Sequence, residues 1–451
     1  MKSYDVKFWK TKKNASSKTP SYVVRWIVAG KECSKTFRGS ELAENFLSDL
    51  RQAARRGEWF DTDTGLPESM LKAKNARTWL EFAEAYVRIR WPHQAANSRA
   101  SAVDALLVVT VALAAERKGR PDRDLLRRAL RDHVLVPEDR RRELPAEVRT
   151  ALRWLEAASL PLTDLEEPRH ARAVLEALAV RLDGAAAATN TFRRRRAVFH
   201  HALEYAVELG ELPGNPLDRV KWKPTKQNDV VDRRVVVNPQ QACELLAGVT
   251  YVGRTRGPML AAMFACMYFA ALRPSEAIGL RRQDCILPER GWGQITVTKT
   301  RSYTTKRFTD SGESYDERGL KHRDGDEDRP VPIPPDLVAI LRAHIAKFGT
   351  APDGRLFFTG GGGAFGTEYI RIWKQARPYG LTPDQVASPL AARPYDLRHA
   401  AVSLWLNAGV HAPEVAERAG HSVDVLLRVY AKCIDGQREI ANQRIQKALA
   451  E

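Results

Sequence analysis

Hydrophobic and polar positions change their period along the chain, and the changes divide it into blocks. Among the first seventy residues, "SYDVKFW", "SYVVRWIV" and "ECSKTF" are short runs rich in β-branched and aromatic residues, with "AGK" at 29 to 31 placed as a hairpin turn. "GSELAENFLSDLRQAARRG" then takes up helical period, with Ser40 positioned to cap it and Leu42, Phe46, Leu47 and Leu50 on one face. This predicts a small domain over 1–70, three strands plus a helix. From "NARTWLEFAEAYVRIRW" at 75 to "PGNPLDRVKWKP" the pattern is helical with Pro and Gly at its breaks, predicting an all-helical domain over 75–224. The polar stretch "KWKPTKQNDVVDRRVV" reads as a linker. Over 235–451 helical runs surround two strand-like segments, "GQITVTKT" and "RPVPIP", which predicts a mixed α+β domain, mainly α, with a small sheet. The fold class is therefore multidomain. The longest apolar run, "MLAAMFACMYFAAL" at 259–272, is too short to cross a bilayer and suits a buried helix.

Charge narrows the partners. The 451 residues carry a formal net charge of +17, which draws in polyanions, so nucleic acid and an anionic membrane both fit. The bias is steepest in the first forty residues, ten Lys or Arg against Asp5 and Glu32, so the predicted sheet is basic and suited to a DNA groove. Arg193 to Arg196 form an uninterrupted basic block at a helix start, a second candidate for phosphate contact. "GRPDRDLLRRALRDH" and "EDRRRELPAEVR" mix signs and read as solvated faces. Cys33, Cys243, Cys266, Cys285 and Cys433 are scattered and form no CxxC, which argues against a disulfide framework and a zinc site. "MKSYDVKFWKTKKN" has no apolar stretch behind it, and a cytoplasmic location is expected.

The chemistry-bearing residues stand at element boundaries. Arg273 ends the apolar run, where an always-charged guanidinium calls for an anion, and Glu276 is spaced to hold it. Arg398 and His399 open another apolar helix, three residues after Tyr395. His421 follows Gly420, and Tyr430 lies nine positions beyond it. Two arginines, a histidine and a tyrosine make a set that binds and attacks phosphate rather than a metal or acyl-transfer set. "TGGGGAFGT" at 359–367 lacks the Lys-Ser/Thr pair of a phosphate loop and reads as a flexible loop.

These residues resemble the tyrosine recombinase (phage integrase) family, of the kind carried by actinobacterial phages and integrative elements. "ALRPSEAIGL" is similar to its first arginine box, "YDLRHAAVSLWLNAG" to its second, and "AGHSVDVLLRVY" to its third with the nucleophile. The resemblance implies that Arg273 and Arg398 clamp a phosphate, that His421 is the third-box histidine and that Tyr430 is the nucleophile. The family's second box usually reads His-x-x-Arg. Here Tyr395 takes the His position and, with a pKa of about 10, suits hydrogen-bond donation better than proton abstraction, leaving part of that role to His399. The family's general-acid lysine lies between two strands. The long connection "KTRSYTTKRFTDSGESYDERGLKHRDGDED" offers Lys299, Lys306 and Lys321, of which Lys321 keeps the short lead into the second strand and is preferred.

The implied reaction is attack by the tyrosine oxygen on a backbone phosphorus, giving a 3′-phosphotyrosyl link and a free 5′ hydroxyl. The arginines take the place of a metal, and no cofactor or ATP is called for. The implied partners are double-stranded DNA attachment sites, further copies in a tetramer on two duplexes, and an accessory directionality or DNA-bending protein, with no membrane. In architecture 1–70 looks like an arm-type DNA-binding domain and 75–224 like a core-binding domain. Ile440, Ile445 and Leu449 of the tail are spaced for burial, on a neighbouring subunit or on their own domain. A type IB topoisomerase-like relaxing enzyme and a non-cleaving DNA-binding regulator are the alternatives.

Overall fold

The computed structural model describes residues 1–14, 20–181, 183–222, 230–320, 328–430, 433 and 437–450. The chain is mixed helix and strand, mainly helix, and forms two compact units: residues 1–94 with 101–225, and residues 226–451 with 95–100.

The first unit opens with a four-stranded antiparallel sheet. Ser21–Val28 is its central strand, Lys31–Phe37 pairs along one edge, and Val6–Phe8 and Lys12–Asn14 pair with opposite ends of the other. Lys12–Asn14 is thus a strand beyond the three expected. Ala29 and Gly30 both have positive φ, 50° and 81°, as the two-residue turn that suits strand twist requires. Val24, Trp26 and Val28 pack on Ala43, Leu47, Leu50 and Ala53 of the helix Ser40–Arg55. Two expectations are corrected here. Leu42 is 61% exposed, because the buried stripe runs through Ala43; and Ser40 is the first helical residue, with Gly39 at the cap making no side-chain bond. By strand alternation Arg25, and Lys7 and Lys12 in register with Ile27 and Val23, occupy the sheet face away from the helix.

Helices Trp79–Arg90, Ala96–Ala112, Ala146–Ala158, Pro168–Leu178 and Thr189–Glu208 follow. Thr78 and Glu81 close a capping box at the first, and Trp79 meets Phe199 edge-on at 5.6 Å in the core. The basic block divides: Arg193 and Arg194 are exposed, whereas Arg195 donates to the carbonyls of Leu178 and Val180 at 3.3 and 3.1 Å, satisfying the end of the preceding helix.

In the second unit the apolar run forms the helix Arg256–Phe269, buried against Pro239–Thr250, Pro335–Phe348 and Asp396–Asn407. It ends three residues earlier than the run, because Ala271 turns the chain at φ 49° and brings Arg273 to the cap of the short helix Pro274–Gly279. The two expected strands pair as Gly293–Val297 with Arg329–Ile333, and Cys285–Ile286 completes an antiparallel sheet of three. Ala412–Ala419, Val423–Tyr430 and Gln437–Ala450 close the chain. No helix among the described residues is long and apolar enough to cross a membrane.

Candidate active site

Arg273 is locked at its helix cap. Its backbone N–H donates to Glu276 Oε2 at 2.8 Å, its Nη1 to Glu276 Oε1 at 2.7 Å and its Nη2 to the Gly420 carbonyl at 2.6 Å. Glu276 also accepts from Arg329 at 3.1 and 2.7 Å, a guanidinium only 1% exposed. Burial alone would push the Glu276 carboxyl up, but the Arg329 and Arg273 charges outweigh it and hold the pKa at about 2. Sequence reasoning missed Arg329. Its signal was strand phase: Arg329, Val331 and Ile333 alternate inward, and a charged residue in phase with two core aliphatics needs a buried partner.

Arg398, fully buried on the helix Asp396–Asn407, donates to the carbonyls of Ala271 and Ala419 and, at 2.8 Å, to His421 Nε2. A guanidinium only donates, so His421 carries its proton on Nδ1. That Nδ1 and Arg398 Nε are buried without a hydrogen-bond partner. Burial, with Arg398, Arg273 and Arg329 alongside, lowers the His421 pKa to about 3.

Tyr430 ends the helix Val423–Tyr430, 1% exposed, with Leu426 buried behind it and Val429 packed alongside. Its hydroxyl donates to His399 Nδ1 at 2.9 Å in the tautomer protonated at Nε2. Burial, then Arg393 and Arg398, lowers the His399 pKa to about 4, while burial raises that of Tyr430 above 10. Tyr395, at the helix cap, lies edge-on to the His399 ring at 5.1 Å. The second-box histidine position is thus filled by a ring that braces His399, and His399 is the residue bonded to Tyr430.

Arg273, Glu276, Arg398, His399, His421 and Tyr430 therefore come together, with Tyr395 behind His399. Lys321 lies outside the described residues. Lys299 is 58% exposed with its Nζ 3.5 Å from Glu317, and Lys306 is exposed on a short turn. With both imidazoles neutral, three guanidiniums stand against the Glu276 carboxylate, Arg329 and Arg398 buried and Arg273 30% exposed, so the cluster is positive and suited to an anion.

No family model matches the chain. It is similar to the tyrosine recombinase XerC of Nitrobacter winogradskyi, 26% identical over 192 residues that cover 41% of this chain and 50% of that protein. The tyrosine recombinase XerC of Bradyrhizobium diazoefficiens is 24% identical over 180 residues, 40% of this chain and 46% of that one. The chain spans about half the length of the curated relatives it matches. Among solved structures, the Tn1549 transposon integrase in complex with a circular intermediate DNA aligns with a TM-score of 0.49 at 15% identity, over 82% of this chain and 99% of that one. The XerH site-specific recombinase bound to difH substrate aligns at 0.46 and 12% identity, over 82% and 95%. A buried tyrosine hydroxyl on a neutral histidine, beside a cluster of arginines, defines the class of site. The curated relatives to which the chain is similar are tyrosine recombinases.

Proposed function

We propose that this protein is a site-specific DNA recombinase of integrase type, which cuts and rejoins DNA through a 3′-phosphotyrosyl link and so integrates or excises a mobile element. One observation carries the reading: the Tyr430 hydroxyl sits on His399 Nδ1 at 2.9 Å, within the field of the Arg398 and Arg273 guanidiniums. Arg273 and Arg398 hold the non-bridging phosphate oxygens, joined by the unpartnered donor of His421. His399, neutral at physiological pH, takes the tyrosine proton, and Tyr395 keeps its ring in place. The tyrosine oxygen attacks phosphorus as the bond to the 5′ oxygen breaks, and a lysine of the 298–328 connection protonates that oxygen; Lys321 has the short lead into the second strand, and Lys299 comes just after the first. A second 5′ hydroxyl reverses the step, so no external energy source is consumed. Removal of either clamping arginine should cost roughly 2.7 to 4 kcal/mol of transition-state stabilisation, as loss of an oxyanion donor does.

The surrounding regions fit the same reading. Over 1–70 the open sheet face with Lys7, Lys12 and Arg25 contacts arm-type DNA, and over 75–224 the exposed Arg193 and Arg194 contact the core site. The 235–451 region catalyses. The enzyme works in the cytoplasm as a tetramer on two duplexes, with an accessory directionality or bending protein. In its tail helix Ile445 is 58% and Leu449 83% exposed, which favours docking on a neighbouring copy.

The test is covalent capture. A nicked suicide duplex should give a protein-DNA band resistant to SDS, lost in Tyr430→Phe while mobility-shift binding persists. An adduct formed by the phenylalanine variant would overturn the assignment of Tyr430.

A further inference from the structure

Where it is described, the connection between the strands Gly293–Val297 and Arg329–Ile333 is folded. Thr300–Tyr303 and Tyr315–Arg318 pair antiparallel, with Arg301 opposite Glu317 and Tyr303 opposite Tyr315. The tyrosine rings meet edge to face at 5.7 Å, the Arg301 guanidinium lies 4.9 Å from the Tyr315 ring, and the Tyr315 hydroxyl donates to the Ala364 carbonyl at 2.6 Å. These contacts hold the Glu317 carboxylate at a junction of three cations. Arg281 Nη2 is 3.2 Å from both of its oxygens, Lys299 Nζ 3.5 Å from one and Arg301 Nη1 3.5 Å from the other. Asp353, at 3.7 Å, shares Arg301.

The backbone beside Lys299 packs against the far end of the short helix that Arg273 caps. Gly279 ends the short helix that Arg273 caps, and a Cβ built there would meet Arg301 Cβ at 3.4 Å and the Lys299 carbonyl at 3.8 Å. The side chain is another matter, since a lysine on a four-carbon stem, more than half exposed, samples many rotamers unless something restrains it. Among the described residues, Glu317 is the carboxylate in reach.

We propose that Glu317 is a positioning residue for Lys299, which delivers the proton to the leaving 5′ oxygen. The inference rests on the recombinase reading above. One carboxylate shared among three cations restrains the ammonium yet lets it exchange that partner for the scissile phosphate, because partly exposed ion pairs are weak. In the step itself the bond from the Tyr430 oxygen to phosphorus forms, the bond to the 5′ oxygen breaks, and the Lys299 proton moves to that oxygen. Rejoining returns the proton to the amine.

The experiment measures adduct formation by the full chain on nicked suicide duplexes with either an ordinary 5′ oxygen or a 5′-bridging sulfur, a leaving group that needs no proton. On oxygen, Lys299→Ala should slow cleavage about 100-fold or more and Glu317→Gln about three- to tenfold, with both restored on sulfur. The double variant should be no slower than Lys299→Ala alone. If Glu317→Gln is equally slow on both substrates, or Lys321→Ala alone is slowed and rescued, the inference is overturned and the recombinase reading stands. If the wild type forms no adduct on either substrate, the recombinase reading itself fails.

Discussion

Two histidines in this site are kept neutral, and that sets its pH behaviour. His399 is held at about 4 and His421 at about 3, against an ordinary 6.5, by burial first and neighbouring arginines second. If His399 accepts the Tyr430 proton, the acid limb of kcat/KM for cleavage, which reports the free enzyme, should fall near pH 4 rather than near 6.5. A limb at 6.5 would count against His399 as the base. Stability follows the same shift: below 6.5 the unfolded chain binds protons that the folded chain refuses, so stability is full above that pH and declines as pH falls toward 4. Melting temperatures at pH 7.5 and 5 should differ in that sense, and less so in a His399→Gln variant.

Among the elements, the junctions matter more than the helices. Gly420 ends the helix Ala412–Ala419 at φ 64°, which a residue with a Cβ adopts at a cost of about 1 to 2 kcal/mol. The same glycine presents its carbonyl to Arg273, and a Cβ there would overlap Arg329 Nη1 and stand 3.2 Å from Arg273 Nη1. Arg329 is clamped by Glu276 and has little freedom to move aside. Gly420→Ala should therefore lower the melting temperature and also abolish the SDS-resistant adduct; a variant with normal cleavage would show that the arginine pair tolerates displacement. Ala271 plays a comparable part from the other side. Its left-handed φ of 49° aims a carbonyl at Arg398 directly after the apolar helix, a strained turn placed at the site.

At the scale of the molecule, Glu276 joins separate parts of the second unit. It binds Arg273 three residues away and Arg329 fifty-three residues away, with Glu276 and Arg329 buried and Arg273 partly exposed. Loss of one partner from a buried pair leaves an unbalanced charge, so Glu276→Gln should cost about 3 to 5 kcal/mol of unfolding free energy, read by denaturant titration. Replacing Arg329 by Met in the same chain should recover part of that loss, because the stranded guanidinium is then gone. An additive double variant would mean that the two side chains do not share one buried network.

Periodicity and residue type determined much of this protein. The apolar run at 259–272, the paired strands, and Arg273, Arg398, His421 and Tyr430 at element ends were all legible, because burial of apolar faces and the scarcity of uncompensated buried charge act locally. Which residue touches Tyr430 was not. Tyr395 and His399 lie four residues apart at the start of one helix, and only the packing of Val423–Tyr430 decides that the imidazole meets the hydroxyl. Arg329 and Glu317 were equally hidden, since each pairs with a residue 53 or 18 positions away, and chain spacing does not encode distances that close only when strands and helices dock. Sequence thus settled which chemistry-bearing side chains the chain carries; tertiary structure settled which of them share a site, because a hydrogen bond or ion pair requires contact within a few ångströms.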